Sequence, residues 1–303
     1  MDDLDEAVVR LLEIDGRLPY GVIAKRVGLS RAAVSARAHR LIHTAQLEVR
    51  GAVHPVVLGQ HVLGYARIEV RESAAVVARH VAARADVPFV SVVTGCRSVI
   101  AELRCTTSSA FQATLDHIRS HEFATSVTTL GYDEIVRDVV GPVGAVGATV
   151  DALDLELLRH LQVDGRLTYV DLAARVGLTP AGVRRRVLAL IDARVLRIGA
   201  TVRLTGRDHY VAMDVAVRVS KPREIVAAAI HQRCAPVFLA YTTGDVDVLL
   251  TLRGLSVEQL STTVDAIRSV PGVEYTDTWM YLTIVKEDYV AAVPTHLGET
   301  RTG

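Results

Sequence analysis

The chain has 303 residues, half of them hydrophobic and 22% charged, which is typical of about two to four folded domains and excludes a disordered chain. Its 34 basic residues balance 34 acidic ones, so any surface for nucleic acid must be local. The three cysteines form no Cys-x-x-Cys pair, and we expect reduced thiols with neither a metal site nor a cofactor. The acidic start Met1-Asp2-Asp3 predicts no signal peptide and a cytoplasmic protein.

The sequence is a tandem duplication. Residues 4–47 and 153–196 align without a gap at a shift of 149, with 20 of 44 positions identical. Within them, Asp15-Gly16-Arg17-Leu18 returns as Asp164-Gly165-Arg166-Leu167, and the same shift continues through the rest of each half. A repeat this long indicates duplicated domains and not a solenoid of short units.

Each half begins with the pattern of a helix-turn-helix. Apolar residues recur at helical spacing in 4–12, and a second short helix fits Tyr20–Val27, followed by a tight turn at Gly28. Ser30 stands at the N-cap of a third helix, and its counterpart Thr179 is followed by proline, which favours the first helical position. In such a motif the last helix enters the major groove of DNA.

Local charge supports this interpretation. Residues 25–50 and 175–199 each contain six cations and one acidic residue, a net charge of +5 within a neutral protein. Basic patches of this kind neutralise DNA phosphates, and arginine also recognises guanine. We therefore predict a double-stranded DNA partner, contacted by residues on or beside the third helices: Ser30, Arg31, Ser35, Arg37, His39, Arg40, Thr179, Arg184, Arg185 and Arg186.

After each helix-turn-helix the apolar periodicity changes to that of strands. Both halves then follow the order β-α-β-β-α-β, which is typical of a ferredoxin-like domain. Because helices cover only one face of such a sheet, the other face needs a partner. The second copy in the same chain is the expected partner.

The predicted fold is therefore α+β, with two winged-helix-type helix-turn-helix domains that are each followed by a ferredoxin-like domain. The uncharged, glycine-rich stretch before Val150 predicts a linker between the halves and is too short to span a membrane. The predicted bounds are helix-turn-helix domains at 1–50 and 152–199, ferredoxin-like domains at 60–138 and 209–290, a linker at 139–151 and a flexible tail at 291–303.

The helix-turn-helix with Asp-Gly-Arg and Val-Gly-Leu-Ser, followed by a sheet domain with a Gly-x-x-Asp turn, resembles the Lrp/AsnC regulators of amino-acid metabolism. The resemblance covers 2–138 and again 151–287, so the chain looks like a tandem version of the family's usual single pair of domains. It implies a transcription regulator whose sheet domains pair and bind a small effector, often an amino acid. A homodimer or higher homo-oligomer is the expected assembly.

The resemblance also implies an effector site at the turn between the second and third strands of the sheet. In the second half the implied residues are Thr243, Gly244, Asp245 and Asp247, whose carboxylates and glycine-freed N–H groups suit an amino acid. In the first half the implied residues are Gly95 and Ser98, where serine replaces the expected acid. Ordinary hairpin chemistry also explains a Gly-Asp turn.

Two other functions are compatible with this domain pair. A tetrapyrrole-processing enzyme, similar to siroheme decarboxylases, would need His, Tyr and Arg side chains clustered in the sheet cleft. The available residues are His209, Tyr210, His231, Tyr241 and Tyr275, and no spacing marks them as ligands, so we do not expect an enzyme. An architectural DNA binder without an effector would show little sequence preference.

Overall fold

A computed structural model of the chain describes residues 2–44, 47–202, 210–290 and 293. The chain forms two compact units, each containing segments of both halves. Unit 1 comprises Met1–Leu58, Val139–Arg203 and Val290–Gly303. Unit 2 comprises Gly59–Asp138 and Leu204–Tyr289.

Unit 1 holds both helix-turn-helix copies. Its elements are α1 (Asp3–Ile14), α2 (Tyr20–Val27), α3 (Arg31–His43), β1 (Leu47–Val53) and a 3-10 helix (Pro55–Leu58) from the first half, and α6 (Ala152–Val163), α7 (Tyr169–Val176), α8 (Pro180–Asp192) and β6 (Leu196–Val202) from the second. Unit 2 holds β2 (Val62–Val70), α4 (Ala74–Ala82), β3 (Phe89–Val93), β4 (Val99–Cys105), α5 (Ser108–Arg119), β5 (Ala124–Asp138), β7 (Val211–Val219), α9 (Arg223–Cys234), β8 (Phe238–Thr243), β9 (Val248–Gly254), α10 (Val257–Arg268) and β10 (Val273–Glu287).

The predicted helix-turn-helix is confirmed in both copies. Gly28 and its counterpart Gly177 end α2 and α7 with a φ of 69°, a left-handed conformation that glycine adopts without strain. The Ser30 hydroxyl accepts a hydrogen bond from the N–H of Ala33 and begins α3, and Thr179 begins α8 in the same way. Val34 and Leu41 are fully buried on the inner face of α3.

The sequence analysis did not predict β1 and β6, which pair with each other antiparallel across the two halves. Alternate residues of β1 are buried, and Glu48 and Arg50 lie at its outward positions, but Gly51 at an inward position shortens the apolar alternation. Arg50 lies opposite its own repeat counterpart, Gly199. The pairing therefore has the geometry of a two-fold interface made within one chain.

The repeated Asp-Gly-Arg motif joins the two copies to each other. The N–H of Gly16 donates to the carbonyl of Ile198, and a Cβ at Gly16 would lie 2.6 Å from the Val49 Cγ1, so only glycine fits. Arg17 donates to the carbonyls of Gly165 (2.8 Å) and Leu167 (2.7 Å).

The second copy makes the same contacts in reverse. The N–H of Gly165 donates to the carbonyl of Val49, and Arg166 donates to the carbonyl of Gly16 at 3.3 Å. The guanidinium of Arg166 lies 4.7 Å from the centre of the Tyr20 ring, as Arg17 lies over Tyr169. The motif thus fixes one helix-turn-helix against the other.

Unit 2 confirms the order β-α-β-β-α-β in each half and the pairing of the two sheets. All eight strands form one closed antiparallel sheet, because the long β5 pairs with β8 of the other half and β10 pairs with β3. Helices α4 and α5 cover the outer face of the first half, and α9 and α10 cover that of the second. The inner face is filled by residues of both halves, as expected of a sheet that needs its copy as partner.

A buried polar cluster lies on this inner face. The carboxylate of Asp214, with no exposed surface, accepts hydrogen bonds from the hydroxyls of Tyr65, Thr251 and Tyr281 and from the indole N–H of Trp279. Tyr65 and Asp214 are repeat counterparts, separated by 149 residues. Burial raises the pKa of Asp214, although the four hydrogen bonds oppose the shift.

The segment predicted as a linker packs against the second helix-turn-helix within unit 1. The N–H of Gly147 donates to the carbonyl of Ala193, and the carbonyl of Gly144 lies 2.9 Å from the His54 Nε2. The predicted tail lies outside the described residues, apart from Val293. The described part of the chain contains no helix with the length and hydropathy of a membrane span.

Candidate DNA interface and effector turn

The α3 residues predicted to contact DNA fall into two groups. Ser30, Arg31, His39 and Arg40 are exposed, whereas Ser35 and Arg37 are half-buried. In the second copy Thr179, Arg184 and Arg185 are exposed, and Arg186 is half-buried. The difference arises because the half-buried arginines turn back towards the first helix of their own copy.

Arg37 binds the carboxylates that cap α1. Asp2 and Asp5 form a capping box, and Arg37 donates to both, at 2.7 Å each. Arg40 also donates to the buried Asp5 at 2.7 Å. Partial burial would raise the pKa of Asp5, but the hydrogen bonds from Arg40 and Arg37 outweigh burial and lower it. The local count of +5 overlooked these acids, which are distant in sequence.

Arg186 repeats this arrangement in the second copy. It donates to Asp151 at 2.7 Å and to Asp154 at 2.8 Å, the capping box of α6. The pKa of Asp151 is also lowered, because hydrogen bonds from the Asp154 backbone and from Arg186 outweigh its partial burial. Since Arg37 and Arg186 are repeat counterparts, the arrangement orients each third helix on its first helix.

The two third helices differ in the cations that remain. Arg184 and Arg185 are exposed on α8, and neither makes an ion pair or side-chain hydrogen bond to any part of the chain that the structure describes. Their counterparts on α3 are Ser35 and Ala36. On α3, His39 packs between Tyr20 and His43, with ring centres 6.1 and 6.3 Å away. Within the described residues, α8 therefore presents two unpaired cations, whereas α3 presents one, Arg31, beside aromatic and polar side chains.

In unit 2, the predicted effector turn of the second half is held by the first half. Thr243 donates its hydroxyl to Asp133 at 2.6 Å. Gly244 has a φ of 149°, and a Cβ there would lie 2.8 Å from the Leu130 Cδ2. One carboxylate oxygen of Asp247 accepts the N–H of Val219 at 2.8 Å. Its second oxygen remains as an acceptor that suits the ammonium group of an amino acid.

Asp245 of the same turn binds an arginine that the sequence analysis missed. The side chain of Arg67 on β2 is 1% exposed, and its Nη2 donates to both Asp245 oxygens, at 2.6 and 2.5 Å. The buried Nε of Arg67 has no hydrogen-bond partner. Partial burial would raise the pKa of Asp245, but the hydrogen bonds and charge of Arg67 outweigh it and lower the pKa. The sequence signal that indicates Arg67 is a single arginine at an inward position of a Val-rich strand pattern.

The corresponding turn of the first half has different chemistry. Gly95 has a φ of 97° with open space around it, and Ser98 donates its hydroxyl to the Gly95 carbonyl at 3.1 Å. Cys96 occupies the position of Asp245, and Ala216 occupies that of Arg67. The carboxylates and the buried cation thus occur at the second turn, and their repeat positions at the first turn lack them.

The residues considered for a tetrapyrrole site differ in the side chains that surround them. The rings of Tyr210, Tyr241 and Tyr275 lie under three different arginines, namely Arg253, Arg223 and Arg218. His231 is exposed on α9. His209 lies outside the described residues. Within the described ranges, no group of three or more His, Cys, Asp or Glu side chains is arranged to hold a metal ion.

Comparison with known proteins agrees with this architecture. The model of the AsnC-type helix-turn-helix domain matches residues 1–42 and 150–191, and that of the Lrp/AsnC ligand binding domain matches 202–291. The HTH-type transcriptional regulator LysM of Sulfurisphaera tokodaii is 30% identical over 138 residues, covering 45% of this chain and 98% of that protein. LysM of Saccharolobus solfataricus is 27% identical over 139 residues, covering 45% and 95%.

A solved structure extends the likeness to both halves in fold alone. The siroheme decarboxylase NirDL superposes with a TM-score of 0.58 at 14% identity, covering 94% of this chain and 93% of that chain. The aligned length of the LysM proteins is close to one repeat of 149 residues, so the chain corresponds to two such regulators in tandem. The chain belongs to the Lrp/AsnC family of DNA-binding, helix-turn-helix transcriptional regulators.

Proposed function

We propose that this regulator contacts duplex DNA through α3 and α8, and that α8 makes the stronger electrostatic contact. The observation that carries the proposal is the adjacent pair Arg184 and Arg185, exposed and unpaired within the described ranges. Arg37, Arg40 and Arg186 contribute less to DNA affinity, because carboxylates already bind their guanidinium groups. The other predicted contacts are Ser30, Arg31, Ser35, His39 and Thr179.

The repeat itself provides the test. The double variant Arg184→Ser, Arg185→Ala gives α8 the residues that α3 carries at these positions. We expect at least about tenfold weaker binding to the duplex upstream of the protein's own gene, and a salt slope reduced by about 2, since two phosphate contacts are lost. Fluorescence anisotropy across a salt series measures both quantities.

The reciprocal variant Ser35→Arg, Ala36→Arg serves as the control and is expected to strengthen binding and steepen the slope. Unchanged affinity and slope in the first double variant would mean that α8 does not meet DNA.

We further propose that the second-half turn binds a small effector, with an amino acid as the leading class. Asp247 supports this, since one of its carboxylate oxygens accepts the N–H of Val219 and the other can accept from an ammonium group. Thr243 and Asp245 complete the proposed site. The first-half turn, with Gly95 and Ser98, lacks the carboxylate and binds an amino acid weakly or not at all.

Asp247→Asn and Ser98→Ala form the matched pair for this proposal. In a thermal-shift screen of the twenty amino acids, the wild type is expected to be stabilised by at least one of them. Asp247→Asn should lose that stabilisation because its amide donates towards an ammonium, and Ser98→Ala should keep it. A response that survives Asp247→Asn places the effector elsewhere.

We propose no enzymatic activity. A tetrapyrrole enzyme on this fold is the alternative, favoured by the likeness to NirDL along both halves. A coloured, saturable complex with iron-uroporphyrin would support that alternative.

We also propose that two chains associate into a particle with four helix-turn-helix copies. Light scattering of the purified protein measures the mass of this particle.

A further inference from the structure

Unit 1 contains a cavity of about 600 Å³ beside α8, apart from the proposed effector turn. Its walls come from the turn after α1, from the linker and from the second helix-turn-helix. Ile191 and Leu188 of α8 form one side, and Pro142 and Val143 of the linker form another. This size lies within the range of pockets that hold small organic molecules.

The cavity combines an apolar wall with positive charge. Arg17, Arg194 and Arg197 line it together with a single acid, Asp15, which gives a net charge of +2 from three cations and one anion. Arg17 donates two hydrogen bonds to main-chain carbonyls, which carry no formal charge and so do not neutralise its positive charge. An apolar wall beside excess cations suits an organic anion.

Arg194 is the cation best placed to receive such an anion. It is exposed, and its side chain makes no hydrogen bond or ion pair with any part of the chain that the structure describes. Its φ of 60° is one of two positive values among described non-glycine residues, a conformation that costs free energy. Gly144 lacks the Cβ that would lie 2.5 Å from the Arg194 Nη1, so the linker leaves room for the guanidinium.

The repeat shows that the first copy lacks this chemistry. The counterparts of Arg194, Arg197 and Leu188 are Ala45, Glu48 and His39. Arg194, Arg197 and Leu188 are therefore features of the second copy, where α8 also carries the exposed arginines. Leu188 lies one helical turn after Arg184, so the cavity borders the cationic face of α8.

We infer that this cavity is a binding site for a small carboxylate with an apolar chain, held by Arg194 against Leu188, and that its occupancy weakens DNA binding. The second part rests on the proposed DNA contact by α8. A bound anion beside Arg184 reduces the positive potential that attracts phosphate.

Calorimetric titration of the full chain with octanoate tests the site without DNA. We expect saturable binding of one octanoate per chain, no binding of the neutral octanamide, and at least tenfold weaker octanoate binding by Arg194→Gly. Glycine adopts the same positive φ, so the variant keeps the local backbone. Leu188→Glu should abolish binding, whereas His39→Glu, at the matched position of the first copy, and Lys25→Ala should leave it unchanged.

Anisotropy with the upstream duplex tests the coupling. Octanoate should weaken DNA binding by the wild type about tenfold and leave Arg194→Gly unaffected. The proposed site would be contradicted if octanoate gave no saturable heat up to about 10 mM, or if Arg194→Gly bound octanoate with the same affinity as the wild type. If octanoate binds and the affinity for DNA does not change, only the proposed coupling is contradicted. If octanoate binds but the protein has no affinity for DNA, the proposed function is contradicted and the octanoate site is retained.

Discussion

Asp214→Leu is expected to destabilise unit 2 by about 3 kcal/mol or more, because each buried donor left without a partner costs about 1–3 kcal/mol. Four donors converge on this carboxylate, and leucine accepts from none of them. Trp279 is the protein's single tryptophan and donates to Asp214, so its fluorescence reports the unfolding of unit 2 in urea. The exposed Asp265 provides the control, and Asp265→Leu should change stability by less than about 0.5 kcal/mol.

The same carboxylate gives a pH dependence of defined sign. Burial raises the pKa of Asp214 above its ordinary 3.8, so folded protein holds this proton at pH values where unfolded protein has released it. The contribution of Asp214 to stability therefore falls as pH rises from 3.8 to the raised pKa and is constant above it. Asp214→Asn should remove that fall, so the stability difference between wild type and variant should change with pH in this window. A constant difference would contradict the assigned shift.

Gly165→Val is expected to destabilise unit 1 by about 3 kcal/mol and to weaken DNA binding. A Cβ at Gly165 would lie 2.9 Å from the carbonyl carbon of Arg50, which is backbone of the paired β1 and cannot rotate away. The substitution thus separates the two helix-turn-helix copies at the contact that fixes their spacing. Hydrogen exchange is expected to accelerate in peptides covering β1 and β6.

Gly21 offers a matched control within the same unit. It lies in α2, and a Cβ there would have no neighbour within 4 Å. Gly21→Ala should therefore be neutral or stabilising by up to about 1 kcal/mol, because alanine favours the helix. Equal hydrogen exchange in Gly165→Val and Gly21→Ala would show that the Asp-Gly-Arg motif does not hold the copies together.

The local elements were predictable because their signals lie within a few residues. Ser30 caps α3 and Gly28 ends α2, and each acts on backbone groups of its own helix turn. The β-α-β-β-α-β order followed from strand and helix periodicity in the same way. The duplication even predicted that one sheet would cover the other, because an uncovered apolar face is costly.

The meaning of several motifs depended on residues far away in sequence. The local charge pattern predicts Arg37 as a DNA contact, whereas its ion pairs depend on Asp2 and Asp5, more than 30 residues earlier. Asp-Gly-Arg served to align the repeats, yet its glycine and arginine contact the other copy about 150 residues away. Arg67 and Asp245 are 178 residues apart and carried no common signal.

The sequence by itself determined the duplicated architecture, the helix and strand order, and membership in a regulator family, since capping and periodicity are local and a repeat is visible when the sequence is aligned with itself. The tertiary structure decided which arginines remain exposed, which glycines touch backbone, and where the linker and α8 enclose a cavity. These features arise where the chain meets its own second copy. Helix and strand propensities and residue spacing do not predict these contacts between the copies, because the free energies of burial and charge pairing depend on neighbours in space.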